Sequence, residues 1–449
     1  MMRNKSFGPS RQPFRSRESI RLADAHTTGP VAFLNPTRAR FRHTAIFPQE
    51  RPGPNGDQPA VSSPPDKGHR SEDEQLASNI EFNWRSRDNR KGRHALVVQP
   101  SSPESSQYLT PKPTSSLHET GKGLLRMFTQ YPYWDVSYLV AVIFTLGSVV
   151  WVLNAFFAYL PLAQPQTEFG TEILYGGGIT AFIGATIFEI GSVLLMLEAV
   201  NENRTGCFGW ALEKLLEGDG EKGAKVRVCP DKDRCSHHHK NERNLVGKSK
   251  VTASASSLSI TSSVSLNGFM AEQPKQPQYS NDQGPTWTWF PSTQDLKHHY
   301  IRELGFLACL AQFVGATIFW ISGFTALPGI NNNLGSQGLL DGIFWVPQIV
   351  GGTGFIISGA LFMLETQSRW WKPAFSVLGW HIGFWNLVGA FGFTLCGALG
   401  PAYGNSGAEY EASLATFWGS WAFLIGSAIQ WYESLDKHPV ELEDIGKVS

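Results

Sequence analysis

The sequence predicts an all-α membrane protein with six transmembrane helices, a disordered N-terminal tail and one long polar loop. Six apolar runs each exceed 20 residues, and a helix needs about 20 apolar residues to cross a hydrocarbon core of about 30 Å. No Lys or Arg falls inside any run, and short connections join the first to the second, the third to the fourth and the fifth to the sixth. These connections favour helical hairpins over buried helices of a large soluble core. The runs are Val136–Leu160, Gly178–Val200, Leu304–Leu327, Ile343–Leu364, Phe375–Leu399 and Ala412–Tyr432.

The averages of the whole chain conceal these runs. The 449 residues are 42% hydrophobic, and 38 basic residues balance 38 acidic ones, which alone would suit a soluble multidomain protein. Five cysteines, two of them inside apolar runs, exclude a secreted disulfide scaffold. The predicted organisation is a disordered cytosolic N-terminal region (1–130), a transmembrane hairpin (131–200), a largely disordered cytosolic loop with interfacial ends (201–303), a second hairpin (304–364), a short cytosolic loop (365–374), a third hairpin (375–432) and a cytosolic tail (433–449).

Lys and Arg are distributed on one side of the predicted membrane. The chain before the first run holds 20, the long loop holds 14, and the short loop and the C-terminal tail hold two each. The three remaining loops hold none and carry only acids. Since basic loops stay in the cytosol, both termini are predicted to be cytosolic, with plasma membrane and endomembranes not distinguished.

The N-terminal 130 residues are rich in Ser, Pro, Arg and Gly, a composition that buries too little apolar surface to offset ordering entropy. No apolar stretch there is long enough for a signal peptide. The opening Met1–Arg21 has six basic residues and one acid, which faintly resembles a mitochondrial presequence. A disordered basic tail is the favoured interpretation.

A pattern recurs in register in all six runs: Gly, a small residue, then an aromatic residue at +4, Ile or Leu at +6 and a small residue at +8. Positions 0, +4 and +7/+8 share one helix face, and small residues there let helices approach closely in lipid. We interpret the stripe as helix packing; the alternative is a stripe that lines a pore or ligand groove. The leading glycines are Gly147, Gly184, Gly315, Gly351, Gly389 and Gly419.

The even-numbered runs share one more feature. Glu198, Glu365 and Glu433 each lie 14 residues after the leading glycine, at the predicted cytosolic end. The repeating unit is therefore a hairpin. Three copies of the same orientation predict parallel repeats about an axis along the membrane normal.

The sixth run, with Gly419-Ser-Trp-Ala-Phe-Leu-Ile-Gly-Ser427 followed by Glu433-Ser434, resembles the YrhK membrane domain, a small two-helix unit with an aromatic-Leu-Ile-Gly-Ser run and a following Glu. The likeness is fair in the second run and looser in the fourth, where Ser358-Gly359 inverts the order. The arrangement also resembles fungal multi-pass integral membrane proteins with three such hairpins. Neither resemblance implies an activity or supplies catalytic residues.

Glu189 is the one acid deep inside a run, about 13 Å from Glu198 along the helix. An intramembrane charge is expensive and suggests function. The favoured interpretation is a protonated or hydrogen-bonded acid that supports helix association; the alternative is a proton or ion pathway. The other polar candidates at depth are Gln312, Gln348, His381, Asn386 and Asn154.

Cys229, Cys235 and His237 form a weak candidate metal site in the long loop. Zinc sites usually show closer Cys pairs, so a solvated loop is favoured, and no metal or cofactor is expected. No Gly-x-x-x-x-Gly-Lys, His-Glu-x-x-His or Gly-x-Ser-x-Gly motif occurs, so neither catalytic residues nor an enzyme function is predicted.

The sequence thus favours a structural or interaction component of a membrane. The alternative is a transporter or channel for protons, ions or small solutes that uses Glu189. The expected partners are the lipid bilayer and either a second copy or another membrane protein. Nucleic-acid binding has no support beyond charge.

Overall fold

Six long helices form a closed ring. The structure is a computed structural model that describes residues 20–22, 28–43, 80–98, 108–109, 113–202, 226–227 and 287–442. Within these ranges, six helices are long and apolar enough to cross a membrane, as the sequence predicts. The chain is therefore a multi-pass membrane protein.

The helices are numbered along the chain. A short helix α1 (Ser86–Arg90) and an amphipathic helix α2 (Leu117–Thr129) precede the ring. The ring helices are α3 (Val136–Ala163), α4 (Gly178–Val200), α6 (Leu304–Thr325), α9 (Val346–Thr366), α10 (Leu378–Leu399) and α11 (Ser406–Leu435). Short helices α5 (Thr293–His298), α7 (Pro328–Asn331) and α8 (Gln337–Leu340) lie in the connections.

Each ring helix packs against the next one along the chain, and α11 closes the ring on α3. The helices α3, α6 and α10 begin at the same end of the ring at which α4, α9 and α11 finish. That end contacts residues 86–93 and is called the insert end below. The opposite end is called the cavity end.

Two of the ring helices begin with π-helical turns at the cavity end. Glu172–Gly177 leads into α4, and Asp341–Trp345 leads into α9. The sixth helix has no such turn. Asn405 caps it, its side chain accepting a hydrogen bond from the Gly407 amide, so α11 begins six residues before the predicted Ala412.

A five-stranded sheet accompanies the ring. Its strands are β1 (Ile20–Leu22), β2 (Arg38–His43), β3 (Ile80–Arg85), β4 (Ala95–Val98) and β7 (Val440–Leu442), in the spatial order β1-β2-β3-β4-β7. All neighbours are antiparallel except β4 and β7, which are parallel. The strands β5 (Tyr108–Leu109) and β6 (Val226–Arg227) form a separate parallel pair.

The sheet corrects two sequence-based predictions. The prediction of an all-α protein omitted the sheet. The prediction of a disordered 1–130 region does not hold for residues 28–43 and 80–98, which form three strands of the sheet and the buried helix α1. The physical reason is that this segment gains partners from far along the chain: β4 pairs with β7, and α1 enters the end of the ring. Most of the long loop, residues 203–225 and 228–286, lies outside the described residues.

Helix α2 lies beside the end of α11. Its Gly123 is so close to the Tyr432 ring that an added Cβ would lie 2.8 Å from the ring's Cζ, and its Met127 packs with Tyr138 and Leu435. The opposite face exposes Leu117, Leu124, Leu125 and Phe128. Such a helix is typical of the membrane interface.

Candidate functional site: a charged insert and two internal chambers

Residues 86–93, which we call the charged insert, join β3 to β4. Helix α1 ends at Arg90, and Gly92, two residues later, has a φ of 60°, which lies in the left-handed region that glycine favours. The Gly92 amide donates to the Asn89 carbonyl, and the Arg93 amide donates to the Asp88 carbonyl at 2.8 Å. This tight turn sends the chain back into β4 and leaves α1 buried at the insert end of the ring.

Arg90 joins two ring helices through their acids. Its Nη1 and Nη2 donate to the two carboxylate oxygens of Glu365 at 2.6 and 3.0 Å, and its Nε lies 3.3 Å from Glu198 Oε1. Ser86 Oγ adds a bond of 3.0 Å to Glu365. All four side chains are buried, so one guanidinium links the ends of α4 and α9.

Glu433, at the end of α11, receives the remaining cations. Arg87 Nη2 donates to it at 2.7 Å and Arg93 Nη1 at 3.2 Å, while Lys91 Nζ lies 3.5 Å away. Arg93 also donates to Asp88 at 2.7 Å. The insert thus contacts the glutamates at the ends of the second, fourth and sixth ring helices, which are α4, α9 and α11.

The cluster is balanced in charge. Four cations of the insert face four carboxylates, those of Asp88, Glu198, Glu365 and Glu433. Burial lowers the pKa of the Arg90 guanidinium, but the charges of Glu365 and Glu198 and the hydrogen bonds to Glu365 act together against burial, and the pKa lies well above its usual value. Burial lowers the pKa of Lys91, and the nearby Arg87 charge adds to this effect.

The first, third and fifth ring helices, which are α3, α6 and α10, carry small residues at equivalent positions beside the insert. Ser137, Gly305 and Gly379 each lie ten residues before the leading glycine of their helix. An added Cβ on Gly305 would collide with the Arg90 guanidinium, and one on Gly379 would lie 2.7 Å from Arg87 Cδ. Ser137 Oγ donates to the Lys91 carbonyl at 3.4 Å. Small residues at this level therefore allow the arginines to enter.

Residues that follow α11 also contact the insert and the end of β3. Lys437 Nζ bridges the Lys91 carbonyl at 3.0 Å and Asp135 Oδ2 at 2.5 Å. Arg85 and Glu441 form a two-point ion pair at 2.5 and 2.6 Å. Burial lowers and the charge of Glu441 raises the pKa of Arg85, with a net increase.

Six aromatic side chains cross the middle of the ring. They are the +4 residues of the sequence pattern and are buried in one cluster: Trp151, Phe188, Phe319, Phe355, Phe393 and Phe423.

They form two triangles. Trp151, Phe319 and Phe393 contact one another with ring centroids 4.8–5.8 Å apart. Phe188, Phe355 and Phe423 do so at 5.5–6.5 Å. The first triangle faces the cavity end, and Phe188 and Phe423 of the second face the insert. The two triangles divide the interior into two chambers.

The chamber beside the insert is small. Its volume of about 40 Å³ is enough for a few water molecules at most, since one buried water needs roughly 10–15 Å³ of such space. Arg87, Arg90 and Lys91 form one wall, and Gln312 and Asn386 line it with several serines. The structure therefore places two of the predicted polar candidates inside the ring.

The chamber at the cavity end is larger, about 380 Å³. Gln348 and Asn154 line it above the first aromatic triangle. Gln348 Nε2 donates to the Phe393 carbonyl at 3.3 Å, and Asn154 Nδ2 donates to the Gly177 carbonyl at 2.6 Å. The π-helical turns before α4 and α9 contribute to its wall.

Glu189 and His381 lie outside both chambers. Glu189 is half-buried where α4 meets α6 and accepts a hydrogen bond of 3.0 Å from Thr317 Oγ1. His381, also half-buried, donates from Nε2 to the Phe375 carbonyl at 2.8 Å near the start of α10. The structure does not bring these two candidates together with Gln312, Gln348 and Asn386.

The six leading glycines lie at close helix contacts. A Cβ added at Gly351 would lie 2.7 Å from the Gly315 carbonyl oxygen, and one at Gly389 would lie 2.9 Å from that of Gly419. At Gly147 and Gly184 the nearest atoms belong instead to the aromatic side chains of Phe188 and Trp151. Each contact joins the two helices of one predicted hairpin.

The weak metal candidates Cys229, Cys235 and His237 lie outside the described residues. Within the described part of the chain, no group of three or more His, Cys, Asp or Glu side chains is placed to hold a metal ion.

No match to this chain is found among family models, curated proteins or solved structures.

Sequence reasoning missed the charged insert because Arg87-Asp88-Asn89-Arg90-Lys91 reads as solvated charge. A signal was present in the ring helices. Three glutamates at equivalent helix ends require buried cations if those ends pack together, and no Lys or Arg lies in the apolar runs to supply them.

Proposed function

We propose that this multi-pass membrane protein is a structural or interaction component, in which a rigid six-helix ring holds the N-terminal sheet at one membrane surface. The balanced cluster of the charged insert carries this proposal. Buried ion pairs are costly to desolvate, and removing one partner of such a pair is strongly destabilising. A buried cluster of ion pairs that joins three helix ends to a sheet segment therefore suits a fixed attachment. The sheet and the connections at the insert end would then be the surface offered to partners, a second copy or another membrane protein.

The insert end is proposed to be cytosolic, together with both termini. The distribution of Lys and Arg supports this orientation, since the connections at the cavity end contain none. The exposed Trp370 and Trp371, between α9 and α10, lie at the insert end and suit the headgroup level there.

The ring is further proposed to consist of three parallel hairpin repeats of the YrhK-like kind, as in the fungal membrane proteins that the sequence resembles. Three observations support this proposal: the two aromatic triangles, the three glutamates at equivalent helix ends, and the small residues Ser137, Gly305 and Gly379 at equivalent helix starts. No catalytic role is proposed for any residue.

A second candidate function, transport of a small solute, is favoured by one observation. The two chambers lie on the axis of the ring, on opposite sides of the aromatic triangles. A pathway would therefore run through Gln348 and Gln312 rather than through Glu189, which lies outside both chambers.

An uptake comparison separates the two functions. Ions and metabolites are measured in cells with and without the full chain, alongside protease protection of tagged termini. The structural proposal predicts equal uptake and protease-accessible termini on the cytosolic side. A flux that appears with the protein and is lost in Gln348→Leu, but not in Glu189→Gln, would replace it with the transport function.

A further inference from the structure

We infer that the chamber at the cavity end is a binding site for an uncharged, mainly apolar small molecule that carries at least one hydrogen-bonding group. This inference does not depend on the structural role proposed above, because a ring that holds a sheet at its insert end has no need of a cavity at the other.

The size of the chamber suits a small organic molecule. Its volume of about 380 Å³ falls within the range of roughly 300–1,000 Å³ that is typical of ligand pockets. It is also many times the volume of one water molecule, about 30 Å³. Apolar side chains that line an empty cavity have no atoms opposite them and lose dispersion contacts. A molecule that fills a cavity of this size would restore those contacts, which favours binding.

The walls select against charge. The floor is the first aromatic triangle, Trp151, Phe319 and Phe393, and a side wall includes Phe344 and Trp345. Among the residues that the structure describes, no Asp, Glu, Lys, Arg or His lines the chamber. Because a charge inside the membrane needs a countercharge or water, this lining disfavours ions and favours a neutral molecule.

Buried polar side chains in the lining, three of which are named here, give the site its hydrogen-bonding chemistry. Asn154, Gln348 and Ser322 are each more than nine-tenths buried and line the chamber. The Asn154 and Gln348 amide nitrogens donate to backbone carbonyls, which leaves each amide oxygen as an acceptor. A hydroxyl, amine or amide N–H on the ligand therefore has partners on two sides of the ring, α3 and α9.

The irregular backbone at the mouth supports a binding role. The π-helical turns Glu172–Gly177 and Asp341–Trp345 both contribute lining residues. Turns of π-helix inside or beside α-helices are frequent at functional sites. The π-helical turns thus mark the chamber as a shaped site and not a packing defect.

The test uses two probes that differ by one charge. N-phenyl-1-naphthylamine is uncharged, aromatic and carries one N–H, whereas 8-anilinonaphthalene-1-sulfonate has the same rings and an added sulfonate. Each is titrated by fluorescence and by thermal shift into the full-length protein in lipid nanodiscs, with protein-free nanodiscs as the background. We expect saturable binding of the uncharged probe at one site per chain and at least about tenfold weaker binding of the sulfonate.

Two variants locate the site. Ala158→Phe fills part of the chamber and is expected to weaken the uncharged probe about tenfold or more. Val149→Phe adds bulk on the exposed surface of the same helix and should leave binding unchanged. If Ala158→Phe does not fold, Gln348→Leu keeps the volume, removes one acceptor and should weaken the probe roughly fivefold.

Three results would overturn the inference. One is no saturable binding of the uncharged probe above the nanodisc background. Another is equal affinity for the two probes. The third is unchanged affinity in a folded Ala158→Phe protein, or in Gln348→Leu where the first variant is unfolded. None of these bears on the structural proposal, which stands or falls on uptake and topology.

Discussion

Replacing Glu433 by Gln tests the charged insert most directly. The change keeps the shape of the side chain and removes one negative charge. In the parent, Glu433 accepts hydrogen bonds from Arg87 at 2.7 Å and Arg93 at 3.2 Å and lies 3.5 Å from Lys91. In the variant, four buried cations face three carboxylates. The amide nitrogen of Gln, a hydrogen-bond donor, also lies next to a guanidinium that can only donate.

The expected cost follows from burial. Glu433 is 1% exposed and Lys91 is also 1% exposed, so water does not screen the excess charge. Removing one partner of a buried ion pair typically costs about 3–5 kcal/mol. At about 1.4 kcal/mol per factor of ten, the population in which the insert leaves the ring should rise by about two to four orders of magnitude.

Limited proteolysis with trypsin measures that population. The cleavage sites after Arg87, Arg90, Lys91 and Arg93 are buried in the parent, and cleavage of a transiently opened segment tracks its equilibrium population when opening is fast. The variant should be cut in the insert at low protease concentration. Glu411→Gln, an exposed position on the same helix, is the matched control and should be cut at the parental rate.

A second substitution distinguishes charge from packing. Arg87→Met removes the one surplus cation, so the double variant with Glu433→Gln again balances three cations against three carboxylates. At the remaining sites after Arg90, Lys91 and Arg93, we expect slower cleavage than in Glu433→Gln alone. Parental resistance in Glu433→Gln, or no recovery in the double variant, would refute the account of the insert as a charge-balanced buried cluster.

Three further outcomes are expected for the full chain in detergent. Gly351→Leu should lower the melting temperature strongly, because an added Cβ meets backbone atoms of the neighbouring helix. Ser192→Ala should have little effect, because the Ser192 hydroxyl donates to a carbonyl of its own helix. Equal melting temperatures for the Gly351→Leu variant and the parent would contradict the packing interpretation. Glu189→Gln should change the melting temperature little, because the Gln amide oxygen still accepts from Thr317 and one intramembrane hydrogen bond contributes only about 0.6 kcal/mol. A large decrease in melting temperature would indicate that the negative charge of Glu189 is needed for stability. Burial, aided by nearby carboxylates, raises the pKa of Glu303 from 4.5 to about 7. The folded state therefore binds more protons than the unfolded state between those values, so stability should fall as pH rises from about 4.5 to 7, and Glu303→Gln should flatten that part of the melting-temperature profile.

The six ring helices could be predicted because lipid imposes their length and composition. The aromatic residue at +4 was also visible in the sequence, and its function became clear only when six copies converged on one axis. The equivalent glutamates were recognised as part of a pattern, but their partners were not. Pairing Glu433 with Arg87 requires a contact across 346 residues, and no local periodicity indicates a contact of that separation.

The depth of Glu189 could be predicted, but not the direction of its side chain. As the one acid deep in an apolar run it is a polar candidate whose favoured interpretation is helix association, and its carboxylate meets a threonine at a two-helix contact. Depth along a helix can be counted from the sequence, whereas the direction in which the side chain points depends on how the ring closes. The glutamines at 312 and 348 point inward and the acid does not, and only the packing of α4 against α6 decides between these outcomes.

The parallel pairing of β4 with β7 ties the order of synthesis to the order of assembly. The ribosome makes residues 86–93 first, but their three acidic partners emerge one at a time, with α4, then α9, then α11. Strand β7, which pairs with the edge of β4, leaves the ribosome last. A nascent chain therefore lacks at least one carboxylate partner of the insert until the sixth helix has been made, and the charge of the insert is balanced only once Glu433 has been added.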